Sequence, residues 1–332
     1  MSVPTWVWLA TIAGIIALFF FDFLFHARKP HEPTLKEAAG WSLFFITIAL
    51  LFGGGVWIVW GAQHGTEYFA GFITEKSLSV DNLFVFVILM SKFSVPRRYQ
   101  QKVLLIGIAI ALVMRGIFIA LGAAAIAQFS WVFYLFGAFL LYTAAKLARE
   151  SFQDESQGGA PQYHETWFER WAHKTLPSTR EYHGNRLFAR VEDKPVVTPL
   201  FFAVLALGFT DLLFALDSIP AIYGLTKAPY IVFTTNAFAL LGLLQLYFLL
   251  GGLLDRLVYL GLGLSVILGF IGIKLILDAL HENTLIFIND GQPLHGVPEV
   301  PIWLSLTIIV TTLVVTTVAS LIRSRRGAGG SD

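Results

Sequence analysis

Nine blocks of about 20 mostly apolar residues recur along this chain, the length at which a helix rising about 1.5 Å per residue crosses a hydrocarbon core. Lipid offers the backbone no hydrogen-bonding partner, so such blocks must fold as helices that satisfy their own amides. The expected fold is an all-α polytopic membrane protein. Its nine transmembrane helices run over Trp6–Phe25, Ala38–Trp60, Tyr68–Met90, Val103–Ala127, Phe129–Leu147, Val197–Tyr223, Tyr230–Leu250, Leu257–Leu277 and Ile302–Ile322. Composition agrees, with 56% hydrophobic and 14% charged residues, far from the balance of a soluble domain. Trp6, Trp8, Trp41, Trp57, Trp60, Trp131 and Trp303 fall near the expected span ends, as an interfacial aromatic belt does. The first apolar block lacks a basic leader and a small-residue cleavage site, so it is expected to be a retained span.

Charge placement orients the chain. With the N-terminus outside and the C-terminus cytoplasmic, 19 of the 23 Lys and Arg residues lie on the inner side and only Lys227 lies outside. That asymmetry is what the positive-inside rule demands, and one missed span would scramble it. There are no cysteines, which excludes disulfides, thiolate metal sites and cysteine nucleophiles.

Ionisable residues inside spans are costly and mark function by default. Two stretches carry them. Glu75-Lys76-Ser77-Leu78-Ser79-Val80-Asp81-Asn82 aligns with Asp211-Leu212-Leu213-Phe214-Ala215-Leu216-Asp217-Ser218, acid over acid at both ends. The expected topology carries these segments across the membrane in opposite directions, which is the trace of an inverted repeat. The repeat halves are spans three to five and six to eight. The chain then divides into two N-terminal spans (1–67), repeat 1 (68–147), a cytoplasmic loop (148–196), repeat 2 (197–277), and a final part (278–332) with an outside loop, the last span and a basic tail. In the cytoplasmic loop His164–His173 carries Trp167, Phe168 and Trp171, either a short interfacial helix or part of a loosely ordered connector.

Residues six apart on a straight helix sit about 120° apart around the axis, so the two acids of one motif cannot converge unless the helix breaks. Pro220 frees the carbonyl of Leu216. Broken or kinked helices are therefore expected at Asp217 and at Ser79–Asn82, the alternative being a straight helix that sends one acid per motif to the site. Carboxylate, amide and carbonyl oxygens suit Mn²⁺, Mg²⁺ or Ca²⁺, and donor chemistry does not choose among them. The expected metal ligands are Glu75, Asp81, Asn82, Asp211, Asp217 and Ser218. Lys76, Arg115 and Asp22 balance charge or couple to it, Arg115 as a fixed counter-ion to an acid on a neighbouring helix. Lys274 is expected to snorkel to the outer edge.

These motifs, with Phe93-Ser94-Val95-Pro96, Phe136-Gly137-Ala138-Phe139-Leu140-Leu141, Phe214-Ala215-Leu216-Asp217-Ser218-Ile219-Pro220-Ala221 and Ile271-Gly272-Ile273-Lys274, closely resemble the TerC/Alx family of bacterial membrane proteins. The likeness runs from Asp22 to the last span. It implies a polytopic protein of the bacterial inner membrane related to cation exporters and, for the Alx-like branch, manganese export. Two positions depart from the family pattern. Gly208 stands where an acid is usual, and Gly242-Leu243-Leu244 replaces Gly-Leu-Arg ahead of Gln245.

The expected activity is alternating-access transport of a divalent metal cation, Mn²⁺ export above all, with proton exchange as the coupling. The metal is cargo, and no cofactor is expected. Partners are the lipid bilayer and divalent metal ions, with no nucleic acid. The alternatives are a Ca²⁺ transporter and a non-transporting assembly or metal-loading factor for secreted proteins. An intramembrane aspartyl protease fits poorly, because Gly261-Leu262-Gly263-Leu264 lacks the acid of a Gly-x-Gly-Asp signature.

Overall fold

The computed structural model describes residues 1–26, 34–129, 131–157, 177–179, 184, 186–191, 194–250, 259–281, 289, 292, 294, 297–298 and 300–328. Its helices are α1 (Thr5–His26), α2 (Leu35–Trp60), α3 (Ala62–Lys92), α4 (Arg97–Gln128), α5 (Val132–Gln157), α6 (Pro199–Tyr223), α7 (Pro229–Leu240), α8 (Leu243–Leu250), α9 (Leu260–His281) and α10 (Ile302–Ala328). A two-stranded antiparallel hairpin, β1 (Phe188–Val191) with β2 (Lys194–Val197), precedes α6. It closes the expected 148–196 loop and takes in Val197, the first residue of the expected sixth span; the segment 164–173 lies outside the described residues.

Eight apolar runs among the described residues are long enough to cross a membrane, with α7 and α8 counted as one run, Pro229–Leu249. The remaining expected span, Tyr68–Met90, lies inside α3. That helix has 31 residues, about 46 Å at 1.5 Å per residue, but Glu67, Glu75, Lys76 and Asp81 keep it out of the apolar set. The charged helix is also central, packing on α2, α6, α7 and α10.

Local sequence sets the helix ends. The Thr34 hydroxyl accepts the Glu37 amide and caps α2, supplying one of the donors' missing partners. Pro199 and Pro229 open α6 and α7, where a proline loses no needed amide. Gly61, at φ 92°, is the single residue between α2 and α3.

Burial follows helical periodicity. On α4, Leu104, Ile108, Ala111, Arg115 and Ile119 point inward while Val113, Ile117 and Leu121 are exposed. Exposed apolar faces of this kind, repeated on α1, α2 and α10, suit contact with lipid chains.

The helices of the two halves interlock. The most extensive packing is α5 along α9, followed by α4 on α6 and α3 on α7, with α3 also meeting α6 and α4 meeting α7. Glycines permit the closest approaches. A Cβ at Gly137 would lie 2.9 Å from the Gly272 carbonyl oxygen, and one at Gly272 would lie 3.1 Å from that of Gly137. The α5–α9 crossing is therefore backbone on backbone, the small-residue packing typical of membrane helices. Between helices, the Tyr68 hydroxyl donates to the Ala49 carbonyl and the Tyr223 hydroxyl to that of Ile119.

The expected breaks at the acidic motifs do not occur. Both α3 and α6 are helical throughout Glu75–Asn82 and Asp211–Ser218. Pro220 lies three residues from the end of α6, so it removes one bond near a terminus and does not interrupt the helix. The break is in the seventh span instead, at Leu241 and Gly242. Leu241 is extended (φ −62°, ψ 131°), and Gly242 has φ 78°, a conformation glycine adopts without strain.

Candidate functional site

The centre of the helix bundle holds one guanidinium. Arg115 of α4 is 1% exposed, and so are Asp211 and Ser218 of α6 and Asn236 of α7, while Glu75 of α3 is 0% exposed. The Arg115 Nε and Nη2 donate to Asp211 Oδ2 and Oδ1 at 3.0 and 3.2 Å, a two-pronged pairing that fixes orientation as well as charge. The Arg115 Nη1 donates to Glu75 Oε1, to Asn236 Oδ1 at 3.0 Å and to Ser218 Oγ at 3.3 Å. Four helices thus converge on a single side chain.

Helical spacing explains the convergence. Glu75, Ser79 and Asn82 share one face of α3, and Asp211, Ala215 and Ser218 the matching face of α6; all six are buried. The cluster is two carboxylates against one cation. Arg115 pairs with both acids.

Buried oxygens remain unused at the edge of this network. Glu75 Oε2, Ser79 Oγ and Thr210 Oγ1 have no hydrogen-bond partner. Burying such an atom unpaired costs about 1–3 kcal/mol.

Asp217 is elsewhere. Its Oδ1 accepts the Thr143 hydroxyl of α5 at 3.1 Å, on a half-buried face of α6 turned away from Asp211. An unbroken helix sends one acid of the motif to Arg115 and the other to α5, the straight-helix alternative weighed above. The structure therefore brings Glu75, Asp211 and Ser218 together, places Asn82 on the same stripe, and separates Asp217 from them. The side chain of Asp81 lies outside the described residues. Among the described residues, no group of three or more His, Cys, Asp or Glu side chains stands in metal-holding proximity.

The other charge-balancing residues also find specific places. Lys76 Nζ donates to the Ala239 and Leu241 carbonyls at 3.0 and 3.4 Å. It thus occupies the oxygens at the α7–α8 break, and Glu75 beside it pairs with Arg115. Asp22 is buried on α1 and accepts Gln245 Nε2 at 2.8 Å, apart from the Arg115 cluster. Lys274 does not snorkel. It is 9% exposed and donates to the Gly224 carbonyl at the end of α6 at 2.7 Å and to Asp278 at 3.0 Å.

The departures from the family pattern have local explanations. A Cβ at Gly208 would come within 3.1 Å of Ile110 Cγ2, so this position is a close α4–α6 contact where a larger side chain requires Ile110 to shift. Leu244 is 1% exposed within an apolar cluster, and its neighbour Gln245 serves Asp22.

A cavity of about 330 Å³ lies where α3 and α7 begin and α6 and α9 end, lined in part by His64, Glu67, Thr226, Lys274 and Asp278. The Glu67 carboxylate gathers His64 Nδ1 at 2.9 Å, Gln63 Nε2 at 3.1 Å and the Thr226 hydroxyl at 2.7 Å. Glu67 precedes Glu75 by eight residues, about 12 Å along α3.

Sequence reasoning missed Asn236. The signal for it was Thr234-Thr235-Asn236, a polar run inside an apolar span. Both threonines bond back to carbonyls of their own helix, which leaves the asparagine carbonyl oxygen for the neighbouring helix.

Comparison with known proteins places the chain. Residues 60–328 match the model of the integral membrane protein TerC family. An uncharacterized membrane protein of Mycobacterium tuberculosis is 50% identical over 319 residues, covering 96% of this chain and 80% of that protein. One from Myxococcus xanthus is 41% identical over 321 residues, covering 96% and 93%. The Escherichia coli protein named membrane-bound redox modulator Alx is 40% identical over 270 residues, covering 78% and 82%. No solved structure matches the chain. The chain belongs to the TerC family of integral membrane proteins.

Proposed function

We propose that this protein is a secondary transporter of divalent cations that exports Mn²⁺ by alternating access, with protons exchanged for the metal. The observation that carries the reading is the buried cluster of Glu75, Asp211, Ser218 and Asn236 around Arg115, at the junction of four helices. Intramembrane ionisable groups at such a junction characterise ion pathways. The donors are hard oxygens, which suit Mn²⁺, Mg²⁺ and Ca²⁺. The choice of Mn²⁺ follows the resemblance to the Alx-like branch.

Helix packing supports an inverted repeat. Exchanging α3 with α6, α4 with α7 and α5 with α9 maps the main packing pairs onto one another, as two inverted halves of a nine-span protein require. In this reading the N-terminus is outside, and the cavity beside Glu67 is the outer vestibule of the pathway. In the cation-free form the Arg115 guanidinium balances Glu75 and Asp211. Cargo binding replaces part of that balance with the metal charge, and rocking of the halves changes the side from which the site is reached.

The test is Mn²⁺ uptake into everted membrane vesicles. Wild type accumulates Mn²⁺, and Asp211→Asn does not. Uptake by Asp211→Asn at the native rate overturns the site assignment.

A further inference from the structure

Glu75 divides its two oxygens unequally. Oε1 receives the Arg115 guanidinium, while Oε2 is buried without a hydrogen-bond partner. One helical turn further along the same face is Ser79, 0% exposed, whose Oγ is likewise unpaired.

This hydroxyl breaks the habit of its helix. Thr66, Thr74 and Ser77 each donate to the carbonyl four residues back, at 2.7, 2.8 and 2.7 Å. Such back-bonding is the usual way for a hydroxyl inside a helix to satisfy itself. Ser79 forgoes it. Two unpaired buried oxygens one helical turn apart are costly in the absence of something to receive their lone pairs.

We propose that Glu75 Oε2 and Ser79 Oγ form a hard-oxygen subsite for the cargo cation, beside the Arg115 clamp and not inside it. The inference rests on the transport reading above and answers a difficulty in it. The centre between Glu75 and Asp211 is filled by a guanidinium, so a divalent cation must approach the carboxylate from its other oxygen. Residues four apart on a helix have Cβ atoms about 5–6 Å apart, close enough for one ion to lie between their side-chain oxygens. Ser79 then sets specificity, because a neutral hydroxyl favours a hard cation over a soft one. The equivalent position on α6 is Ala215, so the subsite belongs to α3 alone.

The absence of native cysteine makes a sharp test available. Purified wild type, Ser79→Ala and Ser79→Cys are reconstituted in liposomes, and the concentration dependence of Mn²⁺ and Cd²⁺ uptake is measured for each. Ser79→Ala is expected to weaken apparent Mn²⁺ affinity about tenfold while melting at or above the wild-type temperature, since an unpaired hydroxyl has been removed. Ser79→Cys is expected to lose Mn²⁺ affinity similarly and to gain Cd²⁺ affinity by about tenfold, because sulfur is the softer donor. Wild-type Mn²⁺ uptake together with unchanged Mn²⁺ and Cd²⁺ affinities in both variants overturns the subsite alone. Failure of wild type to take up either metal overturns the transport reading and the subsite with it.

Discussion

Removing the guanidinium from the centre of the bundle should be among the most damaging single changes available. Arg115→Met keeps an unbranched apolar stem but leaves Glu75 and Asp211 buried, at 0% and 1% exposure, with no cation between them. Breaking a buried ion pair from one side costs about 3–5 kcal/mol, because the abandoned charge stays desolvated. Here one cation serves two carboxylates, so the upper end of that range is expected. The triple variant Arg115→Met, Glu75→Gln, Asp211→Asn removes all three charges and should recover most of the loss, since balanced removal of a buried ionic group is often near neutral. Equilibrium SDS unfolding in mixed micelles reads both. A single variant within about 1 kcal/mol of wild type, below what a broken buried pair costs, would refute the placement of Arg115 as the compensating charge. A triple variant no more stable than the single one would show that the damage comes from lost packing and not from unpaired charge.

Gly272→Ala places a Cβ against the Gly137 carbonyl oxygen and the Leu140 and Leu141 side chains; it should destabilise the protein by about 1–3 kcal/mol as overpacking does, read by the same unfolding assay. Lys76→Met strips the ammonium from the Ala239 and Leu241 carbonyls, and hydrogen exchange should rise locally around the α7–α8 break while α5 and α9 stay protected. Gly242→Ala forces a Cβ into a left-handed backbone 3.1 Å from Phe45 Cβ, and a loss of about 1 kcal/mol is expected from the conformational term alone.

Much of this architecture is legible in the chain. Length and hydropathy mark the apolar spans, and their buried charges mark Glu75, Asp211 and Arg115 as residues of interest, but the sequence does not single these three out from Asp81, Asp217 and Lys76. Helix geometry separates Asp211 from Asp217 on an unbroken helix; the break expected to reunite them is absent, and they meet different partners, Arg115 and Thr143. Other features depend on tertiary proximity. Pro220 looked like the agent of a break, yet its place in the last turn of α6 makes it harmless. Gly242 looked like one glycine among 29, but the Lys76 ammonium satisfies the carbonyls beside it, and that contact joins residues 163 and 165 positions apart. Lys274 sits near a span end, where snorkelling is the default. Only the folded chain reveals that the carbonyl of Gly224 lies within reach. Asn236 contributes because its two threonine neighbours turn their hydroxyls back onto their own helix.

A transporter of this kind must move a hard divalent cation as an isolated protein. Purified wild type in liposomes should drive uptake of Mn²⁺ in preference to Zn²⁺, faster with an opposing proton gradient than without one, and Glu75→Gln should abolish it. Liposomes that take up no Mn²⁺, Ca²⁺ or Mg²⁺ with or without the gradient would contradict transport and leave the buried cluster a structural device.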